Sequence, residues 1–334
     1  MSAKESFDLK DIERAAKDLA PYVLRTPTAL WPRVGRLADR LGEEHRSSVL
    51  SAKLELFQVT GTFKPRGALT VMLNLSPEER ARGVVAVSAG NHAIAVAYAA
   101  SVLGISARIV VPKTMNPARV EACGRYGQAL EFMEDIHSAF AKASEISSSE
   151  GRVFVHPFEG RFTALGSATL GAEFLSQVPD MEVLLVAAGG GGLPAGVARA
   201  ARLLSPSIRV IAVEPFGADS LWQSFKKGEP VTLEKVATIA DTLGAPRALP
   251  YSFSMCQEHI EKVVRVTDDE MKEGMAFCFH DLKLAVEPAG AAVVAALAGP
   301  LREELAGKRI GLIICGSNID VQSFSRHLGE VPHG

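Results

Sequence analysis

The sequence predicts an α/β protein whose parallel-rich, twisted sheets are flanked by helices, and three observations carry that expectation. From residue 84 on, short aliphatic runs at 84–87 and 107–111 alternate with helical stretches at 92–103 and after the Asn116 and Pro117 cap. Strand, helix, strand alternation of this kind calls for parallel strands joined by crossover helices. The pattern returns with apolar strands at 183–187, 209–213 and 309–314. Finally, 334 residues, 47% hydrophobic and 22% charged, describe a soluble globular chain with apolar mass for two domains or one large one.

Taken in order, residues 11–20 read as an amphipathic opening helix, which the extended, proline-marked stretch 24–28 ends. The alternating run 51–57 is expected as a strand that delivers the chain to Thr60, Gly61, Thr62, Phe63 and Lys64. Pro65 then suits the first position of a helix over the following residues, which sets Lys64 at a helix N-terminus. Ser76, Pro77 and Glu79 carry the signature of a second helix start. Segments 128–133, 136–149 and 152–156 continue the strand and helix alternation, and we read this stretch as a small domain inserted into a larger one. The larger domain resumes with a helix at 162–178. No internal repeat is present at solenoid spacing.

A net charge of −2 gives no reason to expect nucleic acid or an anionic membrane as partner. The N-terminal residues lack an apolar signal region, and no uncharged apolar run is long enough to span a bilayer, so a cytoplasmic protein is expected. Cys123, Cys256, Cys278 and Cys315 are scattered with no C-x-x-C pair, which argues for reduced thiols over a zinc site or redox dithiol.

Four stretches carry chemistry. At Lys64 the positive end of the helix dipole and partial burial beside Phe63 disfavour an ammonium, leaving an amine suited to a Schiff base; taken alone, a solvated surface lysine is the plainer reading. Gly189, Gly190, Gly191 and Gly192 follow a buried strand and precede a helix from Leu193, so backbone N–H groups can converge on a phosphate. The same glycines fit a loose dinucleotide fingerprint, with Glu214 at the end of the next strand as a ribose-binding acid, and they can also be a tight turn. The loop Ser88, Ala89, Gly90, Asn91 and His92 lies between a strand and a helix that Asn91 is able to cap. Cys315 ends an apolar strand, where open α/β sheets gather ligands; a buried inert cysteine is the alternative.

In order and spacing these four stretches resemble the fold-type II pyridoxal phosphate (PLP) enzymes, tryptophan synthase β-like proteins of two α/β domains, over nearly the whole chain. The branch they look most like is the serine/threonine dehydratases, with serine racemase a near cousin. The resemblance implies a large PLP-binding domain of residues 1–76 plus 158–334 and a small inserted domain of 77–157. It implies that Lys64 holds PLP as an imine, that Phe63 packs near the ring and that Asn91 bonds the ring hydroxyl oxygen. Gly189 to Gly192 and Leu193 would take the phosphate and Cys315 the pyridine nitrogen, while Ser88, Ala89, Gly90, Asn91 and His92 would grip the substrate carboxylate. A neutral thiol at the ring nitrogen makes a weaker electron sink than a carboxylate would, which favours prompt β-elimination over transamination.

The implied reaction converts an L-β-hydroxy-α-amino acid, serine or threonine, into a 2-oxo acid and ammonia. A racemase is the alternative and a nicotinamide-dependent oxidoreductase a distant one. Three departures bear on this. Ala89 stands where serine racemase keeps a second acid/base, so poor racemisation is expected. The segment 214–220 resembles a divalent-metal region of some relatives, with Glu214 and Ala218 as candidate ligands, but Ser220 stands where an aspartate is expected. The loop 238–244, which helps shape the side-chain pocket, matches the family only as far as Asp241. The resemblance further implies a homodimer or homotetramer. Only a short tail follows Cys315, so no C-terminal regulatory domain and no isoleucine feedback are expected.

Overall fold

The computed structural model describes residues 6–331. In chain order its strands are β1 (Thr28–Leu30), β2 (Val49–Leu54), β3 (Val84–Val87), β4 (Ala107–Pro112), β5 (Ala129–Met133), β6 (Val153–Phe154), β7 (Val183–Ala187), β8 (Arg209–Pro215), β9 (Lys262–Val266) and β10 (Arg309–Ile314). They form a six-stranded sheet of order β1-β2-β10-β7-β8-β9 and a four-stranded sheet of order β5-β4-β3-β6. Every pairing is parallel except β1 with β2. Parallel strands need both faces covered, and the buried runs Val183–Ala187 and Ile310 to Ile314 are the apolar strands such coverage requires.

The four strands of the smaller sheet all fall between residues 84 and 154, inside the segment read as an insertion. Its apolar cluster reaches further, however. Ala68, Leu69 and Met72 of the helix Lys64–Leu73 pack into it together with Leu19, so packing crosses the expected boundary at residue 76. That helix therefore touches both layers, and it is the element that carries Lys64. The expected strand 51–57 ends early: β2 stops at Leu54, and Glu55–Phe57 is a 3₁₀ turn that swings the chain toward the lysine. The helix begins at Lys64 itself, so Pro65 stands second in it, not first. The tail beyond Cys315 includes a helix, Val321–Gly329, whose Phe324 and Leu328 pack on the main cluster.

A buried ionic network fixes where that helix starts. Arg66 donates through Nε and Nη2 to both oxygens of Glu55, at 2.9 and 2.8 Å, and through Nη2 to Glu173 of the helix Arg161–Gln177 at 3.0 Å. Lys53 of β2 donates to Glu173, to the Thr26 carbonyl at 2.7 Å and to Gln177. The forked guanidinium–carboxylate geometry offsets desolvation that neither ion could bear alone. Behind it, helices Arg161–Gln177 and Gly192–Leu204 cross so closely that a Cβ on Gly196 would lie 2.1 Å from the Ala164 carbonyl oxygen.

Replacing Glu55 by alanine leaves Arg66 buried with one carboxylate fewer, and the unfolding free energy is expected to fall by about 3–5 kcal/mol. A urea midpoint equal to that of the parent, at equal slope, would show that the network contributes nothing.

Candidate functional site

Between the two sheets lies a cavity of about 220 Å³, lined by Lys64, the loops 88–92 and 189–193, the segment 241–246, Glu287 and Cys315. Its parts come from the C-terminal ends of β3, β7 and β10, where the loops of an open parallel sheet converge. The Lys64 side chain is half-buried, and its Nζ lies 2.7 Å from the Pro157 carbonyl oxygen and 5.0 Å from the centre of the Phe63 ring. Burial pushes the amine from 10.5 down to about 8, against the opposing pull of Cys315 and Glu287.

Across the cavity the glycine loop turns with Gly191 at φ 92°, a conformation that costs a glycine nothing, and the helix Gly192–Leu204 starts there. The loop is tightly held, since a Cβ on Gly190 would lie 2.3 Å from the Phe158 ring and one on Gly192 2.5 Å from the Phe158 carbonyl. The first-turn amides of such a helix have no carbonyl partner inside it and form a ready anion site. The second loop behaves alike: Gly90 N–H donates to Ser88 Oγ at 3.0 Å, and the helix Asn91–Leu103 begins at Asn91.

Asn91 is not the cap of its helix; Gly90 occupies that position. The amide is drawn off by stronger partners, because Asn91 Nδ2 donates to Glu287 Oε1 at 2.7 Å and Asn91 Oδ1 accepts from Asn318 Nδ2 at 2.9 Å. Buried His92 donates from Nε2 to the Val155 carbonyl at 2.8 Å, and burial pushes its pKa down to about 3. It is a neutral ring at any physiological pH. Cys315 lies 3.6 Å through Sγ from the Ala289 carbonyl, and burial pushes its thiol up, so it too is neutral.

Glu214 and Ala218 are not brought to the cavity. The Glu214 carboxylate is buried at the end of β8, where it accepts from the backbone N–H groups of Leu221 and Trp222 at 3.0 and 2.8 Å, and Ala218 is buried in the 3₁₀ turn Phe216–Ala218. Among the described residues no group of three or more His, Cys, Asp or Glu is arranged to hold a metal.

Sequence reasoning missed Glu287, Arg119 and the apolar residues of one wall. Burial raises Glu287 from 4.5 to about 7 despite Arg119, and its Oε2 has no hydrogen-bond partner. The signal was there: a single carboxylate between Val286 and the wholly apolar helix Pro288–Ala298. Arg119 joins the small sheet's side to the large one through Asp241 Oδ1 at 3.1 Å and the Asn318 carbonyl at 3.2 Å, and its Nη2 is 3.9 Å from Glu287. Ile136 and Phe140, one helical turn apart and so on one face, line the cavity with Phe158.

A nest of amides for a phosphate, a lysine biased to its neutral form, a neutral thiol and an orphaned carboxylate oxygen fit PLP, and comparison with known proteins agrees. Residues 21–316 match the family model described as pyridoxal-phosphate dependent enzyme. The chain belongs to that family. PLP is therefore its cofactor, and the nicotinamide alternative falls away. Within the family the chain is 47% identical to phenylserine dehydratase of Ralstonia pickettii over 92% of this chain and 94% of that one. It is 35% identical to L-threonine ammonia-lyase of Thermotoga maritima, covering 96% and 78%. The solved structure of maize serine racemase superposes with a TM-score of 0.88 at 36% identity, covering 96% and 98%. The fold is thus the two-layered α/β fold of the fold-type II enzymes, and the chain sits among their dehydratases and racemases.

Because the neutral amine is the form that captures an aldehyde, the rate at which apoprotein takes up PLP is expected to climb as pH approaches about 8 and to level off above it. Stopped-flow absorbance across that range checks this; a rate that keeps climbing toward 10.5 would mark Lys64 as an ordinary solvated lysine.

Proposed function

We propose that this chain is a PLP-dependent ammonia-lyase that eliminates water from an L-β-hydroxy-α-amino acid and releases a 2-oxo acid and ammonia. The observation that carries the reading is the cavity in which the Lys64 amine faces two helix-start loops beside an apolar wall of Ile136, Phe140 and Phe158. When bound, PLP withdraws electrons from the amino acid's Cα and so acidifies its hydrogen.

The chain's own residues do the rest. Amides of Gly189 to Leu193 would hold the phosphate, and Phe63 would pack near the ring. Ser88, Gly90 and the first-turn amides of Asn91 and His92 bind the substrate carboxylate. Glu287 and Asn318 orient Asn91, which would bond the ring hydroxyl oxygen. The Lys64 amine, at about 8, is a base matched to removing the Cα proton near neutral pH. Cys315 offers the pyridine nitrogen a thiol that burial keeps uncharged, so no fixed negative charge holds a proton on that nitrogen.

Serine and threonine, the substrates expected first, would leave the wall of Ile136, Phe140 and Phe158 unfilled. A bulky apolar or aryl group on Cβ would desolvate it, and the 47% identity to a phenylserine dehydratase supports that preference. Ala89 lines the cavity without an acid or base of its own, which speaks against proton return from the face opposite Lys64 and hence against racemisation. We further propose a homodimer or homotetramer working in the cytoplasm, with the small domain spanning 77–157; among the described residues no helix is long and apolar enough to cross a membrane.

Turnover of L-serine, L-threonine and L-threo-phenylserine tests the substrate. The expected kcat/KM for phenylserine exceeds that for threonine by about tenfold or more, since each well-buried methylene alone is worth about that much. Phe140→Ala is expected to erase most of the gap, and Lys64→Ala to lose both cofactor absorbance and turnover. A chain that releases no oxo acid from any of the three is not this lyase.

Chiral chromatography of the serine reaction tests the second half. Negligible D-serine is expected beside the oxo acid, with some D-serine gained in Ala89→Ser. D-serine formed by the parent at a rate comparable to pyruvate overturns the lyase-only reading.

A further inference from the structure

The side chains of segment 214–220 do not fit the divalent metal that some dehydratase relatives hold there. Glu214 spends both carboxylate oxygens on the Leu221 and Trp222 amides, and Ser220 offers a hydroxyl, buried without a partner, where a carboxylate is needed. The remaining acid, Asp219, accepts from Gln223 Nε2 at 2.8 Å through Oδ1 and from Arg265 Nη1 at 2.9 Å through Oδ2. The two acids thus stand beside a guanidinium. Arg265 is the register partner of Glu214 in the β8–β9 pairing, and its guanidinium carbon lies 3.4 Å from the centre of the Trp222 ring and 4.3 Å from that of Phe216. A planar, permanently charged group stacked on aromatic faces is well suited to such a place, and lysine would not stack in the same way.

What this cation holds leads to the cavity. The turn between Glu214 and Asp219 lies against the chain before the substrate-side loop: Ala237 N–H donates to the Gly217 carbonyl at 2.9 Å, and a Cβ on Gly217 would lie 1.6 Å from the Ala237 carbonyl oxygen. The next residues are Thr238, tied to Asp268 at 2.7 Å, and then Asp241 and Thr242, which line the cavity and reach Arg119 and Glu287. We propose that Arg265 is a built-in cation that fixes segment 214–220 without a divalent metal, and that through the Gly217 contact with Ala237 it positions the loop 238–244 against the substrate. Arg265 is then a positioning residue remote from the reacting atoms, and its loss acts on substrate binding before it acts on turnover.

The test uses the holoenzyme. After dialysis against EDTA, Tm, cofactor absorbance and KM are expected to equal those measured with added Mg²⁺, Ca²⁺ or Mn²⁺; a Tm that falls in EDTA and returns with any of these ions overturns the proposal. Arg265→Gln is expected to keep the cofactor absorbance, to lower Tm by a few degrees and to raise KM by about threefold or more with a smaller change in kcat. Arg265→Lys, which keeps the charge and loses the stacking, recovers part of both. An Arg265→Gln protein with the parent's Tm or the parent's KM overturns the proposal. The KM measurement rests on the proposed lyase reaction, whereas Tm and cofactor absorbance need no substrate, so a wrong substrate and a wrong cation give different results.

Discussion

Two residues past the lysine, the forked contact between Arg66 and Glu55 is the constraint on which the site depends. It ties the first turn of the lysine helix to the end of β2, and Glu173 ties the same guanidinium to the helix Arg161–Gln177. A lysine side chain has four rotatable carbons and considerable rotamer entropy. It can be held in one place only if the backbone beneath it cannot shift. Burying two cations and two anions to achieve this is costly, and well-packed apolar residues of similar volume often give equal stability. What an ionic cluster supplies is direction, because the fork and the carboxylate meet in one orientation alone.

The same economy of charge runs through the cavity itself. The imidazole of His92 and the thiol of Cys315 are neutral because they are buried, not because a partner neutralises them. Lys64 and Glu287 are both shifted toward neutrality by burial, to about 8 and about 7. Apart from these two groups, the charged side chains of the lining are Arg119 and Asp241, which are paired with each other. The starts of the helices Asn91–Leu103 and Gly192–Leu204, each an oriented dipole, border the same cavity.

Much of this was legible in the chain. The strands at 183–187 and 309–314 are found at those positions because fully buried parallel strands are written as unbroken apolar runs, and the capped helix start at Ser76 holds down to its reciprocal bond with Glu79. The edge strands of the larger sheet were not legible: β9 mixes Lys262 and Arg265 with valines because one edge is open, and β1 is only three residues long. In the site, the motifs announced Lys64, the glycine loop and Cys315, since each requires a local backbone shape that leaves a local trace. The cap that local rules allow Asn91 is not made, because a carboxylate from a residue far along the chain engages its amide instead. Glu287 left only the trace of a lone carboxylate ahead of an apolar helix, and Arg119, Ile136 and Phe140 owe their place to tertiary packing, which no spacing encodes.

The lysine strand and the cysteine strand are neighbours: β2 pairs with β10 in parallel, Thr62 bridges Gly316, and Ser317 N–H bonds the Gly61 carbonyl. Residues from opposite ends of the chain thus form one wall of the cofactor cavity. During synthesis the ribosome must deliver β10 before β2 has its inner neighbour, so the half-built sheet waits with an apolar edge exposed while the smaller sheet and the rest of the larger one emerge. Contacts of such long sequence separation make for slow assembly. The wall that carries Cys315 is therefore completed only once β10, near the end of the chain, has been made.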